Sequence, residues 1–414
     1  MKKFLSIILS ILCLNIFGQY THIPDDNFEQ TLINMGYDDV LNDYVLTANI
    51  NNIDTLYIPS KNISDLTGIE DFVSLTHLEC QGNNLTDLDF SHNTMLEYID
   101  CQYNNLANIN ISNNINLSYL NFSQNHITNI YLSNNTNLQR LICYNNSLDN
   151  LDISNNTNLI YIDFTQNNLT SINISNNILL EEIQAGTNIL DSLDVSNNLN
   201  LMILWVSNNN LTGIDIRSNM NLQSLNIANN HLSFLVTSEN TSLNALDCRN
   251  NQITELDLKN NPLNVLYCQN NNLDLLDIRN NYNNNMLDMY ATNNPNLRCI
   301  YVDDTNLLNP SFWHTDYYST FVTNENECND LEIKNDYSLE ITIYPNPIKD
   351  NLYFENNSNE IFMNANIYDI SGKLISSKII EKNKINVSNL PNGFYILKLS
   401  NDKTSVTKKF IVKY

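Results

Sequence analysis

Leucine recurs along most of this chain at a fixed interval. Between Leu75 and Leu243 each leucine of the series follows the previous one after 21 residues, and Leu263 and Met286 continue the series after 20 and 23 residues. A constant period of this size is typical of a solenoid, in which each repeat forms one coil stacked on its neighbours. The complete series is Leu75, Leu96, Leu117, Leu138, Leu159, Leu180, Leu201, Leu222, Leu243, Leu263 and Met286.

Each repeat contains a short stretch with the alternation of a β-strand. In the unit LEYIDCQYNNL, Ile99 and Cys101 are predicted to point inward, whereas Tyr98, Asp100 and Gln102 point outward. Coils stacked about 4.8 Å apart would join these stretches into a parallel sheet. The unit matches L-x-x-L-x-L-x-x-N-x-L and therefore resembles the leucine-rich repeat. The second half of each coil repeats the same offsets, which predicts strands or turns on a second edge.

Asparagine makes up roughly a fifth of the chain, well above ordinary usage, and follows the same period. Where the chain turns away from a strand, an inward amide can bond the backbone groups that lose their sheet partners. We therefore expect a buried asparagine ladder rather than a ligand site. One predicted column comprises Asn83, Asn104, Asn125, Asn146, Asn167, Asn188, Asn209, Asn230, Asn251, Asn271 and Asn294. The half-coil column comprises Asn93, Asn114, Asn135, Asn156, Asn177, Asn198, Asn219, Asn240, Asn261 and Asn281.

Both ends of a solenoid need covers, because a terminal coil exposes its apolar interior. At the front, an amphipathic helix is predicted between Pro24, which suits a first turn, and Gly36, which suits a helix end; its inward residues are Phe28, Leu32 and Met35. At the back, NPNLRCIYVDD begins like another coil and leads into the aromatic segment NPSFWHTDYYSTFV. This aromatic segment is the predicted C-terminal cap.

The last part of the chain has a different pattern. Seven short alternating runs separated by Pro, Gly and Asn predict a small β-sandwich. The runs YPNP, IYDISGKLI, NLPNGFYILKL and KKFIVKY resemble, in order and spacing, the type A sorting domain of the bacterial type IX secretion system. The residues that match its signature are Tyr344, Pro345, Asn346, Pro347, Gly372, Lys373, Gly393, Tyr395, Lys408, Lys409 and Lys413.

This resemblance implies export through the outer membrane by the type IX secretion machinery. In that family the sorting domain is usually removed, the exported protein is often attached to lipopolysaccharide, and the source is a bacterium of the Bacteroidota. The N-terminal region likewise resembles secreted leucine-rich-repeat proteins of these bacteria, and KNISDLTGIEDF has internalin-like features. These resemblances imply binding or adhesion and name no ligand.

The predicted fold is a leucine-rich-repeat solenoid of about twelve coils, with a parallel β-sheet and strands or turns on its second edge, followed by a small all-β immunoglobulin-like sandwich. The predicted segments are 1–19 (signal peptide), 20–52 (N-terminal helical cap), 53–303 (leucine-rich repeats), 304–335 (C-terminal cap and linker) and 336–414 (type IX secretion sorting domain).

The start of the chain has the layout of a secretory signal peptide. Lys2 and Lys3 precede an apolar run that is too short to cross a bilayer. Cys13 raises the question of a lipoprotein anchor, which Leu12 disfavours because that position wants a small side chain. No other run reaches the roughly 20 apolar residues of a transmembrane helix. We therefore expect a mature chain without a transmembrane segment, secreted or held at the outer-membrane surface.

Charge excludes one class of partner. The chain has 20 Lys plus Arg against 45 Asp plus Glu, a formal net charge of -25, and a pI near 4.3. Nucleic-acid binding needs clustered basic side chains, and an anionic membrane would repel this chain for the same Coulombic reason.

Cysteines fall into two groups. Five of the eight occupy inward strand positions, where we expect small apolar residues rather than metal ligands. Cys299 and Cys328 instead lie near the predicted C-terminal cap of an exported chain, and we expect a disulfide there. The five inward cysteines are Cys80, Cys101, Cys143, Cys248 and Cys268.

Large side chains gather at outward strand positions between the third and eighth coils. Exposed aromatic and aliphatic groups on a rigid sheet are typical binding anchors. The competing interpretation is that cross-strand pairs only stabilise the sheet. Among binding functions, protein binding is favoured because these sheets present a long rigid surface. A carbohydrate-binding surface module is the alternative. The predicted partner-binding face comprises Tyr98, Tyr119, Arg140, Ile142, Tyr144, Tyr161, Ile203 and Trp205.

Aspartates recur at one half-coil position. Carboxylates about 5 Å apart on adjacent strands repel each other unless cations or raised pKa values relieve the repulsion. A calcium ladder is one interpretation, and a solvated acidic edge is the favoured one. The residues are Asp89, Asp152, Asp194, Asp215, Asp257 and Asp277.

The sequence contains no pattern typical of an enzyme. Only eight glycines are present and no Gly-rich phosphate loop. No H-E-x-x-H, no G-x-S-x-G and no His–carboxylate pair is recognisable. We therefore predict a non-enzymatic protein without cofactor or metal.

Overall fold

The computed structural model describes residues 19–307, 311–329, 341–356, 362–380, 383–401 and 405–414. The predicted signal peptide, apart from Gln19, lies outside these residues. So does the predicted boundary of the sorting domain at residues 335 and 336. The chain forms two compact units that divide after Asn324.

A short strand pair and two helices precede the solenoid. Phe28 and Leu32 are fully buried, and the Phe28 ring lies 6.1 Å from the ring of Phe72. Met35, predicted to point inward, is instead the exposed C-cap residue, because Gly36 ends the helix there with a φ of 84°. The elements are β1 (Tyr20–His22), α1 (Asp26–Asn34), β2 (Tyr44–Leu46) and α2 (Thr47–Ile50).

The solenoid consists of short strands joined by turns. In chain order they are β3 (Thr55–Tyr57), β4 (His77–Glu79), β5 (Asp87–Asp89), β6 (Tyr98–Asp100), β7 (Asn108–Asn110), β8 (Tyr119–Asn121), β9 (Arg140–Ile142), β10 (Tyr161–Asp163), β11 (Glu182–Gln184), β12 (Ile203–Trp205), β13 (Ser224–Asn226), β14 (Ala245–Asp247), β15 (Glu255–Asp257), β16 (Val265–Tyr267), β17 (Leu275–Asp277), β18 (Asp288–Tyr290), β19 (Cys299–Tyr301), β20 (Trp313–His314) and β21 (Thr320–Val322). Three 3-10 turns span Ile69–Asp71, Asn283–Asn285 and Thr305–Leu307.

Thirteen of these strands form one parallel sheet, ordered β3, β4, β6, β8, β9, β10, β11, β12, β13, β14, β16, β18 and β20. The predicted solenoid is therefore confirmed, with thirteen coils in place of about twelve. Strand β20 comes from the aromatic segment that was predicted to be the cap. It joins the sheet because Trp313 is buried in the core and pairs with Met289 of β18.

The second edge forms strands only towards its two ends. Near the front β5 pairs with β7, and near the back β15, β17, β19 and β21 form a four-stranded parallel sheet. Turns occupy this edge in the coils between them. The run NPNLRCIYVDD does not begin a new coil, because Asn294 belongs to the turn after β18. The apolar residues that follow therefore fall half a coil later and form β19.

The first asparagine column is buried except for the half-buried Asn146. Asn167 shows its role: Nδ2 donates to the carbonyls of Cys143 and Phe164, both at 3.0 Å, and Oδ1 accepts from the Leu148 N–H at 3.0 Å. In ten coils the residue just before the asparagine has a φ between 51° and 59°. The amide thus bonds the backbone groups that this left-handed turn takes out of the sheet.

The half-coil column makes fewer bonds. Asn177 donates through Nδ2 to the carbonyls of Ile153 and Asn156 at 3.1 and 2.8 Å. The prediction for Asn281 was wrong, because its side chain is exposed. Asn280 takes that place and donates to the backbone of the preceding column member at 2.7 Å. The reason is the 23-residue spacing of this coil, which adds a 3-10 turn.

The C-terminal unit contains the seven predicted strands in two antiparallel sheets, ordered β22, β23, β26 and β25, β24, β27, β28. Their inward side chains form one apolar core. The strands are β22 (Ile341–Tyr344), β23 (Asn351–Asn356), β24 (Asn364–Asp369), β25 (Leu374–Ile379), β26 (Lys384–Asn386), β27 (Gly393–Ser400) and β28 (Ser405–Val412). Among all residues described, no helix is long and apolar enough to cross a membrane.

Candidate functional site

The outer face of the thirteen-stranded sheet begins with a stack of rings. The His77 and Tyr98 rings lie 4.0 Å apart at 9°, and the Tyr98 and Tyr119 rings lie 4.1 Å apart at 5°. The in-register pairing of β4, β6 and β8 places these side chains directly above one another. Burial raises the pKa of Tyr98, with a smaller contribution from the neighbouring Tyr119 hydroxyl. Both faces of the Tyr98 ring are therefore covered within the protein.

Arginine continues this stack. The Arg140 guanidinium lies 4.1 Å from the centre of the Tyr161 ring, in the geometry of a cation–π contact. Burial, together with the charges of Asp163 and Glu182, raises the pKa of Tyr161 to about 12. Ile142 lies beside Asp163 in the strand register and is half-buried.

Trp205 is the most exposed aromatic side chain of the predicted partner-binding face. It is 40% exposed, and its Nε1 donates to the Ser224 hydroxyl at 3.0 Å. Ile203 on the same strand is half-buried. One strand further on, the outward residue Asn226 pairs with Trp205 in the register. The hydrogen bond fixes the indole ring against β13, so its exposed surface has a defined orientation.

Two carboxylates of this face are buried and were missed at the level of sequence. Asp100 accepts hydrogen bonds from Gln102 and Asn121, whereas Asp163 accepts from the Thr165 N–H at 2.9 Å. Burial raises the pKa of both carboxyl groups. Neither forms an ion pair with any described residue. The signal in the sequence was an aspartate at an outward position next to an uncharged residue on an adjacent coil: Asn121 beside Asp100, and Ile142 and Gln184 beside Asp163.

The outer face as a whole is acidic. Over the repeats from residue 77 to residue 292 its three outward columns hold six carboxylates and two guanidinium groups, a balance of four negative charges. Arg249 is already paired with Asp247 at 3.2 Å, and Arg140 lies over Tyr161. The six carboxylates are Glu79, Asp100, Asp163, Glu182, Asp247 and Asp288.

The eight residues of the predicted face lie on or beside strands β6 to β12. The structure brings Tyr98 next to Tyr119 and Arg140 next to Tyr161. Strand β11 separates them from Ile203 and Trp205. Tyr144 follows β9 directly and is half-buried.

One pair on this face contradicts the sequence analysis. His77 Nε2 lies 3.1 Å from Glu79 Oε1 on strand β4, so a His–carboxylate pair exists where none was recognised. The two residues are adjacent outward positions of one strand. The His77 ring also stacks on the Tyr98 ring, and Glu79 also accepts from the Gln81 amide. The pair therefore lies at the end of the ring stack.

The recurring aspartates of the second edge cap turns. Asp194 accepts from the Ser196 N–H at 2.9 Å, and hydrogen bonds from Ser196 lower its pKa. Hydrogen bonds from Arg217 lower the pKa of Asp215 to about 2. Neutralising cations are thus supplied by the chain itself, through Arg217, Lys259 and Arg279. Among the described residues no group of three or more His, Cys, Asp or Glu is placed to hold a metal ion.

The five inward cysteines are buried and free. Burial raises the pKa of each thiol, in the case of Cys268 to about 12. Cys299 and Cys328 are both disulfide-bonded.

The signature residues of the C-terminal unit build its turns and one of its edges. Asn346 Oδ1 accepts from the Ile411 N–H at 2.9 Å, and the backbone of Ile348 bonds Ile411 and Lys413. These contacts join the YPNP motif to the edge of β28. Gly372 has a φ of 86° in the turn between β24 and β25.

The remaining signature residues lie on β22, β27 and β28 and in the turn after β24. The Tyr344 hydroxyl donates to Glu355 at 2.7 Å, and the Tyr395 hydroxyl donates to the Pro391 carbonyl at 2.9 Å. The Lys373 N–H donates to Asp369 at 3.1 Å. Gly393, Lys408 and Lys409 lie in the β27–β28 ladder.

Comparison with known families identifies the C-terminal unit. Residues 342–413 match the family described as Secretion system C-terminal sorting domain. No curated protein matches the chain.

Solved structures are similar to the chain over the solenoid fold. An internalin (inlF) from Listeria monocytogenes is 22% identical with a TM-score of 0.61, and the alignment covers 72% of this chain and 96% of that one. The APL1 leucine-rich repeat domain is 21% identical with a TM-score of 0.50, covering 68% and 72%. The functional domain of InlJ from Listeria monocytogenes is 22% identical with a TM-score of 0.49, covering 95% and 98%.

At these identities the likeness concerns the fold alone. It places the repeats in the leucine-rich-repeat class of solenoids. With the matched sorting domain, the chain is a leucine-rich-repeat protein that type IX secretion delivers to the cell surface or the extracellular space.

Proposed function

We propose that this chain recognises another protein through the outer face of its thirteen-stranded sheet, as an adhesion or recognition protein. The observation that carries the proposal is Trp205, a large indole that stands partly exposed on the acidic outer face of a rigid sheet. Partly exposed aromatic side chains held in one orientation are the usual centres of binding energy in protein interfaces. The proposal involves no catalytic step.

Apolar side chains continue from Trp205 along the same coil. Leu199 is exposed, and Met202 and Ile203 are half-buried. On the following coil Met220 is exposed beside Leu199. A row of this kind supports a protein partner, because burying apolar surface supplies the main favourable free energy of association.

Asp163 supports a basic group on that partner. Its carboxylate is desolvated, lies between Ile142 and Gln184 in the strand register, and has no cationic partner among the described residues. A lysine or arginine of the partner would meet a carboxylate that is already largely desolvated. The acidic balance of the face favours the same kind of partner.

Ring geometry weakens the carbohydrate alternative. Sugars stack on free ring faces, whereas the faces of the Tyr98 ring are occupied by His77 and Tyr119. Arg140 likewise covers one face of Tyr161. Of the predicted face, Trp205 keeps the largest exposed ring surface.

The test uses purified mature chain, residues 20–414, with the variants Trp205→Ala and Asp163→Asn. Binding is measured on an array of purified extracellular protein domains and on a glycan array. For a domain that is captured saturably, Trp205→Ala should lower the affinity about tenfold or more, as expected for a central interface aromatic. Asp163→Asn should weaken capture while keeping the Thr165 hydrogen bond.

Stability separates binding from folding in this test. The folded-state pKa of Asp163 is raised, so its ionised form destabilises the fold above both pKa values. Asp163→Asn should therefore leave the melting temperature at pH 7 unchanged or higher, and the difference should vanish below the pKa that Asp163 has in the unfolded chain.

Phe234→Ala is the matched control, since Phe234 is an exposed aromatic residue of the second edge. This variant should leave capture within about twofold of the parent. If the chain captures glycans and Trp205→Ala abolishes that capture, the carbohydrate-binding alternative replaces this proposal. If neither Trp205→Ala nor Asp163→Asn changes protein capture, the proposal is refuted.

A further inference from the structure

Strand β25 of the sorting domain is exposed to a degree unusual for a sheet strand. It lies at the edge of its four-stranded sheet, where β24 is its neighbour. Five of its six residues are exposed, and the sixth, Ser376, is half-buried. The register pairs Ile379 with Asn364 and Leu374 with Tyr368, and Ile375 is the extra residue of a β-bulge. Because alternate residues of β24 share a face, Leu374 and Ile379 lie on the same face of the sheet. Both faces of the strand, together with its backbone edge, are open.

The exposed side chains are largely apolar. Ile379 is 80% exposed, and Ile370 in the preceding turn is 78% exposed. Leu374 and Ile375 are also exposed. In the central strands of the same sheet the apolar residues alternate into the core, as Ala365 does in β24. Strand β25 therefore extends beyond the region that the other sheet covers.

The opposite edge of this sheet, β28, is covered at one end. Asn346 accepts from the Ile411 N–H, and the Ile348 backbone exchanges hydrogen bonds with Ile411 and Lys413. The segment around the YPNP motif thus covers the last residues of β28. The exposed residues in the rest of β28 are Ser405, Thr407 and Lys409, which are polar, so β25 is the apolar edge of the described sheet.

Open apolar edges are normally protected, most often by lysine. Lys378 of β25 does not serve in this way, because its ammonium donates to the Asn386 carbonyl at 2.6 Å. The segment 370–380 holds two lysines and no acidic residue, in a chain whose net charge is -25. The edge is therefore both apolar and locally basic.

We propose that β25 is the surface by which the type IX export machinery holds this domain, through addition of a β-strand from the machinery to its open edge. Strand addition uses backbone hydrogen bonds for affinity and alternate side chains for specificity. The receiving strand should lie in an apolar cleft that covers Leu374, Ile375 and Ile379, with acidic groups near the two lysines.

A second copy of the chain fits this edge less well. Pairing of two β25 strands would satisfy the backbone but leave the side chains on both faces of each strand exposed. The proposal rests on the sorting-domain match of residues 342–413 and is independent of the partner-binding face.

The experiment expresses the full chain in a bacterium with a type IX secretion system. The variant Ile375→Lys/Ile379→Lys places two charges in the proposed interface and removes two exposed apolar groups. The fraction of chain reaching the cell surface or medium should fall about tenfold or more, with unprocessed chain retained in the periplasm. Phe394→Lys is the matched control, because Phe394 is 65% exposed on β27 of the same sheet; its secretion should change by less than about twofold.

Folding is checked on purified proteins by thermal unfolding. Both isoleucines are exposed, so the melting temperature of the double variant should stay near that of the parent. If it does not, Ile375→Ser/Ile379→Ser provides the milder change and should still reduce export. Normal export of a folded double variant overturns the proposal, as does an equal loss of export in Phe394→Lys.

A photo-crosslinking residue at position 379 identifies the occupant in living cells. An adduct with a component of the secretion machinery, absent for the same residue at position 394, supports the proposal. An adduct with the mass of two chains assigns the edge to self-association, and an intrachain adduct assigns it to the acidic repeats. Either of these two results overturns the proposal.

Discussion

Asparagine serves this chain in two positions that differ in their hydrogen bonds. The Asn167 amide donates to two backbone carbonyls and its Oδ1 accepts from the Leu148 N–H. Asn177 in the half-coil column also donates to two carbonyls, but its Oδ1 has no donor among the described residues. The first column therefore ties together more of the buried backbone than the second.

Replacement of these two residues should show the difference. Asn167→Ala leaves the buried Leu148 N–H without a partner, whereas the carbonyls of Cys143 and Phe164 keep the amides of Asn146 and Asn188. It should lower the free energy of unfolding by about 2 to 3 kcal/mol. Asn177→Ala leaves no group without a partner, because the carbonyls of Ile153 and Asn156 also accept backbone N–H groups. It should cost about 1 kcal/mol. Denaturant unfolding monitored by circular dichroism measures both. Equal losses would mean that Oδ1 of the first column contributes nothing.

At the scale of elements, the Asp25 side chain joins the start of helix α1 to the first coil. Asp25 Oδ1 accepts from the N–H groups of Asn27 and Phe28, the arrangement of an N-cap. Its other oxygen accepts from the Ser64 hydroxyl and from the N–H groups of Ser64 and Asp65. Burial alone would raise the pKa of Asp25, but hydrogen bonds led by Ser64 outweigh it and the pKa is lowered.

Asp25→Ala should destabilise the chain by about 2 kcal/mol at neutral pH, the upper end for an N-cap, because it also removes the link to the coil. Since the folded-state pKa is lowered, this stability is present above the unfolded value of about 3.9 and is lost as pH falls through the folded pKa. The difference between parent and variant in thermal unfolding should therefore shrink in acid. Asp26→Ala is the control, as Asp26 is exposed in the first turn, and should cost no more than about 0.5 kcal/mol. A loss that does not change with pH would contradict the role of the ionised carboxylate.

Strands β20 and β25 illustrate how much an element depends on its neighbours. Strand β20 lacks the repeat spacing and forms because Trp313 fills the core beside Met289. The sequence of β25 has the pattern of an ordinary alternating strand, and only the order of strands in the sheet shows that it lies at an edge.

At the scale of the whole molecule, one apolar core runs through the repeats. It includes buried residues from Ile23 to Trp313. Each coil contacts mainly its neighbours, so stability is distributed along the solenoid and not concentrated at one centre. The five free cysteines from Cys80 to Cys268 report on this core at five coils.

Thiol labelling at pH 8 tests the continuity of that core. Burial raises the pKa of these thiols, to about 12 for Cys268, and excludes reagent. The native chain should therefore show no labelling at the five positions, and labelling should accompany unfolding in denaturant. Ser112→Cys supplies an exposed thiol on the second edge as a control that should react at once. Rapid labelling of a native cysteine such as Cys143 would reveal local opening of its coil.

The sequence determined the repeat, the inward and outward columns and the strands of the sorting domain. The reason is physical: a repeated local pattern specifies the same backbone path in every coil, and in-register stacking follows from the constant period. Deviations from the period are where sequence reasoning failed, as at Asn281, displaced by the 23-residue coil.

The tertiary structure decided the chemistry of the surfaces. Whether Tyr98 presents a ring face or hides it depends on rotamers that the neighbouring coil selects. Burial of Asp163 depends on side chains that flank it from adjacent strands. The sheet order places β25 at an edge, and the YPNP segment covers the end of the other edge through a contact between residues 65 positions apart in the chain. Such properties depend on which residues meet in space, and the local pattern does not specify this.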